Sequence, residues 1–304
     1  MYNGILNVYK EAGYTSHDVV AKLRGICRQK KIGHTGTLDP DAVGVLPVCF
    51  GSGTKLSDLL TDWDKEYIAV LRLGLSTDTQ DISGQVLSKA DEEALAKLDE
   101  EAVRENILHF LGSYEQTPPM YSALKVNGRK LYELARAGKE VERKPRPVTI
   151  SELEILKMDL PLVRFRVVCS KGTYIRTLCH DIGERLLVGG VMESLTRSRV
   201  GIFGIDGALT LSEIERLRDE DKISDVIIKP DAVFEKLRAV TVAEAGERLL
   251  QNGNRIPEAM FARFLPLKAG EEVRMYDAAG RFYGIYQYQD RKRDAKPLKM
   301  FLSE

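Results

Sequence analysis

The irregular order of strand-like and helix-like segments constrains the fold of this 304-residue chain most strongly. Residues 67–74 are apolar on both faces, which predicts a strand in the middle of a sheet. Residues 92–110 predict one amphipathic helix with an acidic outer face, whereas residues 163–169 alternate as a strand does. Because helices and strands do not alternate as in βαβ units, the sequence predicts an α+β fold with a mostly antiparallel, mixed sheet flanked by helices.

Two segments differ in character from this main body. Residues 116–147 have prolines at both ends, and between Pro119 and Pro147 they carry eight basic and three acidic side chains. This pattern predicts an insertion that projects from the main domain, either as a surface helix with solvated lysines or as an RNA contact. Beyond residue 235, one helix and several short strands predict a small β-rich domain over residues 236–304.

Composition limits the classes of protein to which the chain can belong. The 45 basic and 45 acidic side chains cancel, but their distribution is uneven, with five basic and no acidic residues over positions 22–31. Local charge is what a phosphate backbone senses, so nucleic-acid binding stays open. No apolar run approaches the length of about 20 residues that a membrane helix needs. The N-terminus lacks a signal-peptide pattern, so the expected location is the cytoplasm.

Cysteine and histidine spacing predicts the absence of metal. The four cysteines include no C-x-x-C pair, and the four histidines show no metal-ligand spacing. A zinc site and a disulfide framework are therefore not expected.

Residues 33–47, GHTGTLDPDAVGVLP, place one aspartate in a loop rich in glycine, threonine and proline. The glycines allow close backbone approaches, and Pro40 biases Asp39 away from the helical region. A carboxylate held this firmly is a candidate catalytic group. The alternative is a helix start, with Asp39 as N-cap and Pro40 as the first helical residue. The two interpretations are compatible with each other.

Arg176 is a second candidate, because it lies in the first turn of a predicted helix that Thr173 would cap. The helix dipole disfavours a cation at that end, so an anionic partner is expected nearby. Such a partner could be a nucleic-acid phosphate or a carboxylate such as Asp39. The alternative is an exposed arginine that is tolerated at small energetic cost.

Residues 33–46 resemble the signature of the bacterial tRNA pseudouridine synthase B family. Three further segments resemble the same family in the same order, so the resemblance covers most of the first 235 residues. These segments are Lys65-Glu66-Tyr67, Lys171-Gly172-Thr173-Tyr174-Ile175-Arg176 and Glu193-Ser194-Leu195-Thr196-Arg197. The chain departs from the family at Glu11, where proline is usual, and at Thr196, where many members have a second arginine, which puts one RNA-backbone contact in doubt.

The resemblance implies a pseudouridine synthase fold over residues 1–235, with an RNA-binding insertion at about 116–147, and a PUA-like RNA-binding domain over 236–304. It also implies a role for each matched side chain. Asp39 is the catalytic group and Arg176 its ion-pair partner, Tyr67 stacks on the target base, Tyr174 lines the uracil pocket, Leu195 closes it, and His34 lies near the extruded nucleotide.

The activity implied by the resemblance is isomerisation of uridine 55 in the T-loop of tRNA to pseudouridine, with the base flipped out of the loop. No cofactor or metal is required. The expected partner is the T stem-loop of tRNA, without DNA or membrane, and nothing demands more than a monomer. One alternative is a non-catalytic tRNA-binding or tRNA-folding factor. Another is a nucleoside hydrolase, which would typically show acidic clusters and often a metal site.

Overall fold

The structure is a computed structural model that describes residues 1–126 and 128–301. Asn127, in the basic insertion, and residues 302–304 of the C-terminal segment lie outside the described residues. Within the described residues, the strands are β1 (Gly4–Lys10), β2 (Ile32–His34), β3 (Val43–Phe50), β4 (Lys65–Leu73), β5 (Leu75–Thr77), β6 (Val86–Lys89), β7 (Gly112–Gln116), β8 (Lys125–Val126), β9 (Arg129–Lys130), β10 (Arg146–Asp159), β11 (Leu162–Cys169), β12 (Gly190–Val200), β13 (Phe203–Gly204), β14 (Arg238–Thr241), β15 (Ile256–Pro257), β16 (Glu272–Tyr276), β17 (Phe282–Gln289) and β18 (Asp294–Met300). Over the same residues, the α-helices are α1 (Ser16–Ile26), α2 (Ser57–Asp62), α3 (Glu92–Ala96), α4 (Glu100–Leu108), α5 (Leu131–Arg136), α6 (Ile175–Arg185), α7 (Leu211–Asp219), α8 (Ile223–Val226) and α9 (Glu247–Gln251).

The large sheet holds nine of the described strands, in the order β1-β3-β12-β4-β11-β10-β7, with β2 beside β3 and β13 beside β12. Its pairings are antiparallel except that of β12 with β3, where Arg197 lies opposite Gly44. The apolar strand β4 lies in the middle of this order. The predicted α+β fold with a mostly antiparallel, mixed sheet is confirmed.

Local capping decides where the helices begin. In α1, a capping box between Thr15 and Asp18 starts the helix at Ser16, and the apolar face of the helix is buried. The single helix predicted over residues 92–110 is wrong, because the chain forms α3 and α4 instead. The Asp99 carboxylate accepts a hydrogen bond from the Ala102 N–H at 3.0 Å and so begins a second helix.

Apolar side chains form two clusters along the large sheet. One cluster includes Leu71 of β4, Phe165 of β11 and Ile182 of α6. Another includes Leu23 of α1 and Ile214 of α7, packed with β1 and β3. The helices α1, α6 and α7 thereby hold the strands that carry the expected site residues.

The two segments of distinct composition occupy defined places in this architecture. Strands β7 and β10 pair directly, with Gln116 opposite Arg146, so residues 117–145 form an excursion between two neighbouring strands. That excursion contains the β8–β9 hairpin and α5. A second sheet, in the order β14-β16-β17-β18-β15, is formed from residues 238–300. In the described part of the chain, no helix is long and apolar enough to span a membrane.

Candidate active site

Asp39 lies in a loop, here called the Asp39 loop (residues 35–42), which joins β2 to β3. One turn hydrogen bond, from the Ala42 N–H to the Asp39 carbonyl at 3.1 Å, bends the chain, and β3 begins immediately afterwards. The N-cap interpretation of Asp39 and Pro40 is therefore wrong. Strands β2 and β3 pair with each other, with His34 opposite Val48, so both ends of the loop are held by the sheet.

Buried contacts attach this loop to the rest of the domain. The side chains of Leu38 and Ala42 are buried at 3% and 2% exposure. The Leu38 N–H donates a hydrogen bond to the Ser16 hydroxyl at 2.9 Å. The ammonium group of Lys10, itself fully buried, donates to the carbonyls of Pro40 at 2.8 Å and Ala42 at 2.5 Å. The loop thus has a defined position although it has little regular structure.

Arg176 forms a bidentate ion pair with Asp39, although 137 positions separate the two residues in sequence. Its Nε lies 2.9 Å from Asp39 Oδ2, and its Nη2 lies 3.3 Å from Oδ1. The guanidinium also donates to the carbonyls of Thr79 at 3.0 Å and Tyr121 at 2.9 Å. The side chain of Arg176 is only 7% exposed, whereas that of Asp39 is 38% exposed. The carboxylate is therefore held by a rigid buried cation and still reachable by a substrate.

The helix α6, with Arg176 in its first turn, begins without the predicted cap. Thr173 donates its hydroxyl to the carbonyl of Ser170 at 2.9 Å, and the helix is preceded by Tyr174, whose side chain makes no capping bond. The prediction that Thr173 is the N-cap is wrong. The buried amide of Gln116 pairs instead with the backbone of Tyr174, accepting from its N–H at 2.8 Å and donating to its carbonyl at 3.0 Å.

A second carboxylate, Asp81, lies 3.7 Å from Nη1 of Arg176. Burial raises the pKa of Asp39 above its usual range, and the charge of Asp81 raises it further. The cations Arg176 and Lys10 act in the opposite direction on the pKa of Asp39. Arg176 therefore opposes the rise in the pKa of Asp39 that burial and Asp81 cause.

Two of the expected pocket residues lie on neighbouring strands beside the loop. Tyr67 of β4 and Leu195 of β12 are each 8% exposed and belong to the same apolar cluster as Leu38. Burial raises the pKa of the Tyr67 phenol, and the nearby Asp39 carboxylate adds to that effect. The pKa of the half-buried Tyr174 is raised in the same way, chiefly by burial. Both phenols are therefore protonated at neutral pH.

His34 lies at the end of β2, immediately before the Asp39 loop. Its ring packs edge-to-face against His17 with ring centroids 5.1 Å apart, and its Nδ1 accepts from the Gly36 N–H at 3.3 Å. Burial, together with the charges of His17 and Arg197, lowers the pKa of His34 to about 4. The imidazole is therefore neutral at pH 7.

Sequence reasoning missed three charged side chains around the loop. Asp81 stands in a polar turn without a recognisable catalytic pattern. Lys10 was missed because the sequence does not show that this side chain is buried. Arg197 follows Leu195 by two residues, but it is 1% exposed and faces the Asp39 loop instead of solvent. Among the described residues, no group of three or more His, Cys, Asp or Glu side chains could hold a metal ion.

Comparisons with known proteins bear on this site. The sequence profile described as "TruB family pseudouridylate synthase (N terminal domain)" matches residues 24–175, and that of the "tRNA pseudouridylate synthase B C-terminal domain" matches residues 176–238. The junction between the two matches falls between Ile175 and Arg176.

Relatives and solved structures match almost the whole chain. The tRNA pseudouridine synthase B of Lachnoclostridium phytofermentans is 51% identical over 311 residues, which cover 99% of this chain and 100% of that protein. The protein of the same name from Alkaliphilus oremlandii is 46% identical, with 98% of this chain and 97% of that protein covered. A chain of a Cbf5-Nop10-Gar1 complex has a similar fold, with a TM-score of 0.71 and 26% identity over 99% of this chain and 85% of that chain.

Proposed function

The chain belongs to the TruB family of pseudouridylate synthases, and on that premise we propose that it is a tRNA pseudouridine synthase that acts on uridine 55 of the T-loop. The observation that supports a catalytic role for this chain most directly is the ion pair between Asp39 and the buried Arg176, at 2.9 Å. A protein that only bound tRNA would have no need of a half-exposed carboxylate held by a buried cation.

The isomerisation breaks the bond between uracil N1 and ribose C1′ and makes a bond between uracil C5 and C1′. The Asp39 carboxylate starts it by attacking C1′ or by removing a proton from the sugar, as carboxylates act in glycoside chemistry. The bond between N1 and C1′ breaks with its electron pair on the uracil, which turns and forms the bond from C5 to C1′. Asp39 is then released from C1′ or returns the proton to the sugar. C5 loses its proton to an acceptor, and N1 takes up a proton. Reactant and product have the same atoms, so the reaction needs no oxidant, reductant or second substrate.

Arg176 supports this chemistry by its position. Its fork-shaped guanidinium favours the ionised carboxylate and restricts the rotation of the Asp39 side chain. Two backbone carbonyls and Asp81 hold the guanidinium itself. The nucleophile is thereby oriented before the substrate arrives.

Tyr67, Tyr174 and Leu195 form the proposed uracil pocket. Tyr67 stacks on the base while it turns, and Leu195 and Tyr174 limit its sideways movement. Because burial raises the pKa of the Tyr67 phenol, it cannot accept the C5 proton without passing on its own proton. Water or the Asp39 carboxylate is the simpler acceptor for that proton.

Uridine must leave the stack of the T-loop to reach Asp39, and unstacking a base costs a few kcal/mol. We propose that the neutral His34 ring fills the space left by the flipped nucleotide and so offsets part of that cost. Its position at the start of the Asp39 loop, with its ring packed against His17, suits this role. A His34→Ala variant should raise KM for tRNA and slow flipping, which stopped-flow fluorescence of a 2-aminopurine placed beside the target would measure.

We also propose that residues 1–235 form the catalytic domain and that the insertion at about 116–147 and a PUA-like domain over 236–304 contact the tRNA. The exposed Lys125 and Arg129 lie in the β8–β9 hairpin of the insertion. Replacing both with glutamine should reduce the slope of log K against log salt by about one per lost phosphate contact. Lys97→Gln, at a lysine paired with Glu93 on α3, is the control, and an unchanged slope in the double variant would argue against this contact.

The proposed substrate implies further expectations. We propose that the protein recognises the T stem-loop, acts as a monomer and works in the cytoplasm, where tRNA is modified. Light scattering of the protein with an isolated T stem-loop would measure the stoichiometry. A complex heavier than one protein and one RNA would argue against the monomer.

Release of tritium from tRNA labelled at uracil C5 tests the function. We expect release by the wild type and by Asp41→Asn, a change two positions from Asp39 in the same loop, and none by Asp39→Asn. All three should bind tRNA equally, and no free uracil should form.

Each of the other possible results would contradict a different part of the proposed function. Free uracil would indicate a nucleoside hydrolase. Binding without tritium release by the wild type would indicate a non-catalytic tRNA-binding or tRNA-folding factor. Tritium release by Asp39→Asn would show that the reaction does not need Asp39, although it would still establish the isomerase activity.

A further inference from the structure

The orientation of Asp39 depends on contacts from outside its loop. Residues 35–42 contain one turn hydrogen bond and no helix or strand. Lys10 holds the second half of the loop through the carbonyls of Pro40 and Ala42. The first half of the loop needs an equivalent restraint, because a displacement of about 1 Å in a catalytic group can cost about 10²-fold in rate.

Arg197 supplies that restraint through backbone carbonyls. Its Nε donates to Val45 at 2.7 Å, its Nη2 to Gly36 at 3.3 Å and its Nη1 to Thr37 at 3.5 Å. Gly36 and Thr37 belong to the first half of the loop, and Val45 lies just beyond its end in β3. One planar guanidinium therefore connects the two ends of the Asp39 loop.

The backbone of Arg197 lies at an equally constrained point. In β12 it pairs with Gly44 of β3 on one side and with Tyr67 of β4 on the other. A Cβ on Gly44 would lie 2.2 Å from the Arg197 carbonyl oxygen, so the two strands touch without space for a side chain. Arg197 is thus the residue at which the Asp39 loop meets the strand that carries Tyr67.

The burial of Arg197 is hard to reconcile with a direct contact to RNA. Its exposure is 1%, and its donors are directed at carbonyl oxygens of its own chain and at the Tyr67 phenol. An arginine that binds phosphate must present its guanidinium to solvent before the RNA arrives. Burying a cation is costly, and carbonyl hydrogen bonds offset that cost only while the loop keeps this shape.

We propose that Arg197 is a positioning residue that fixes the Asp39 loop relative to Tyr67, and not a contact to the RNA backbone. The catalytic consequence rests on the function proposed above, whereas the structural consequence does not. Lysine has one donor centre where arginine presents a fork of three nitrogens, so it cannot hold Gly36, Thr37 and Val45 together.

The test compares Arg197→Lys and Arg197→Met with two controls on the same strand. Arg199→Met removes a partly exposed arginine that pairs with Glu66 at 3.4 Å. Val200→Ala opens a cavity at a residue with 1% exposure and so lowers the stability of the protein without changing a residue of the Asp39 loop. It shows what a loss of stability alone does to the loop. Should Arg197→Met fail to fold, Arg197→Lys retains the charge and carries the test.

Amide hydrogen exchange across residues 36–45 is measured first, without substrate. In Arg197→Lys, the loop amides of Leu38 and Ala42 should exchange about tenfold faster than in the wild type, relative to any change in the rest of the chain. In Arg199→Met and Val200→Ala, the exchange rates of this segment should change no more than those of the rest of the chain. Unchanged exchange of the segment in Arg197→Lys would overturn the proposal whatever the activity is.

Kinetics and salt dependence follow at a temperature at which each variant is folded. Arg197→Lys should lower kcat about 10²-fold with KM for tRNA little changed, and the slope of log K against log salt should equal that of the wild type. A smaller slope with a normal kcat would identify Arg197 as a phosphate contact and overturn the proposal. A wild type that releases no tritium would refute the proposed function and leave the exchange result intact.

Discussion

At the residue scale, the site is organised around the guanidinium of Arg176. It directs Nε and one Nη2 hydrogen at Asp39 and the other Nη2 hydrogen at the carbonyl of Tyr121. Its Nη1 donates to the carbonyl of Thr79 at 3.0 Å and lies 3.7 Å from the carboxylate of Asp81, an ion-pair distance. Because the guanidinium cannot rotate without losing these hydrogen bonds, it holds the Asp39 carboxylate in one orientation.

Arg176→Lys should lower kcat about 10²-fold, because an ammonium keeps the charge but cannot form the bidentate pair with Asp39. Single-turnover tritium release with saturating enzyme measures this step. Arg72→Lys is the control, since Arg72 forms a comparable bidentate pair with Glu193 on a strand of the same sheet. A rate for Arg176→Lys within about twofold of the wild type would contradict the role given to the ion pair.

The pH dependence of kcat should reflect the ionisation of Asp39 and the effect of Asp81 on its pKa. Activity requires ionised Asp39, so kcat falls as the pH drops through its pKa. Asp81 raises that pKa, and its removal in Asp81→Asn should lower the pKa of Asp39 and move the acidic limb to lower pH. A pH profile of single-turnover rates measures the limb in both proteins. A limb that moves to higher pH would show that the sign of this coupling is wrong.

At the element scale, the Asp39 loop is determined by where strands meet. Strand β3 pairs with β1 over residues 44–50 and with β2 over its last three residues, and its first two residues also pair with β12 in the one parallel contact among the pairings described for the large sheet. Gly44, the second residue of β3, has a φ of +107°, a conformation that L side chains rarely adopt. The chain can therefore turn sharply where the Asp39 loop joins the sheet.

Gly44→Ala should destabilise the protein by about 2 kcal/mol or more, because the new Cβ meets the Arg197 carbonyl and φ is positive. Gly33→Ala is the matched control in the same motif, since its Cβ would meet nothing within 4 Å. Chemical denaturation of both variants measures the free energies of unfolding. Equal stabilities would mean that β3 and β12 can separate without cost at this point.

At the scale of the whole molecule, the second sheet is not an independent appendage. Ile285 and Phe301 of the C-terminal segment are 3% and 5% exposed, and they pack in one cluster with Val45, Cys49 and Phe203 of the large sheet. Val45 and Cys49 belong to β3, the strand that follows the Asp39 loop. Deleting the C-terminal segment would therefore expose the apolar surface behind the site as well as remove any RNA contact.

Phe301→Ala should lower the free energy of unfolding by about 3 kcal/mol, as expected when a buried aromatic side chain is deleted. Phe264→Ala, in the same segment but at a residue that is 79% exposed, should have little effect. Thermal or chemical denaturation compares the two variants. A Phe301→Ala protein as stable as the wild type would show that the contact between the two sheets contributes little to stability.

The sequence by itself determined the fold class and much of the site. The order of apolar segments predicted the α+β sheet, with β4 at its centre, because periodicity is a local property of the chain. The glycine- and proline-rich motif singled out Asp39, and the helix start singled out Arg176. Their pairing was one of three possibilities that the residues alone left open, since 137 positions separate them.

Only the tertiary structure decided how these residues act together. Asp39 could as well have capped a helix, and the pairing of β2 with β3 excluded that outcome. Lys10 and Arg197 hold the loop through backbone carbonyls, which every residue possesses, so no side-chain pattern in the sequence could reveal their partners. Asp81 lies in the turn of the β5–β6 hairpin, and only the folded chain brings that turn to Arg176. Burial and carbonyl contacts arise only when the chain is folded, and for that physical reason the restraints on Asp39 could not be read from the sequence.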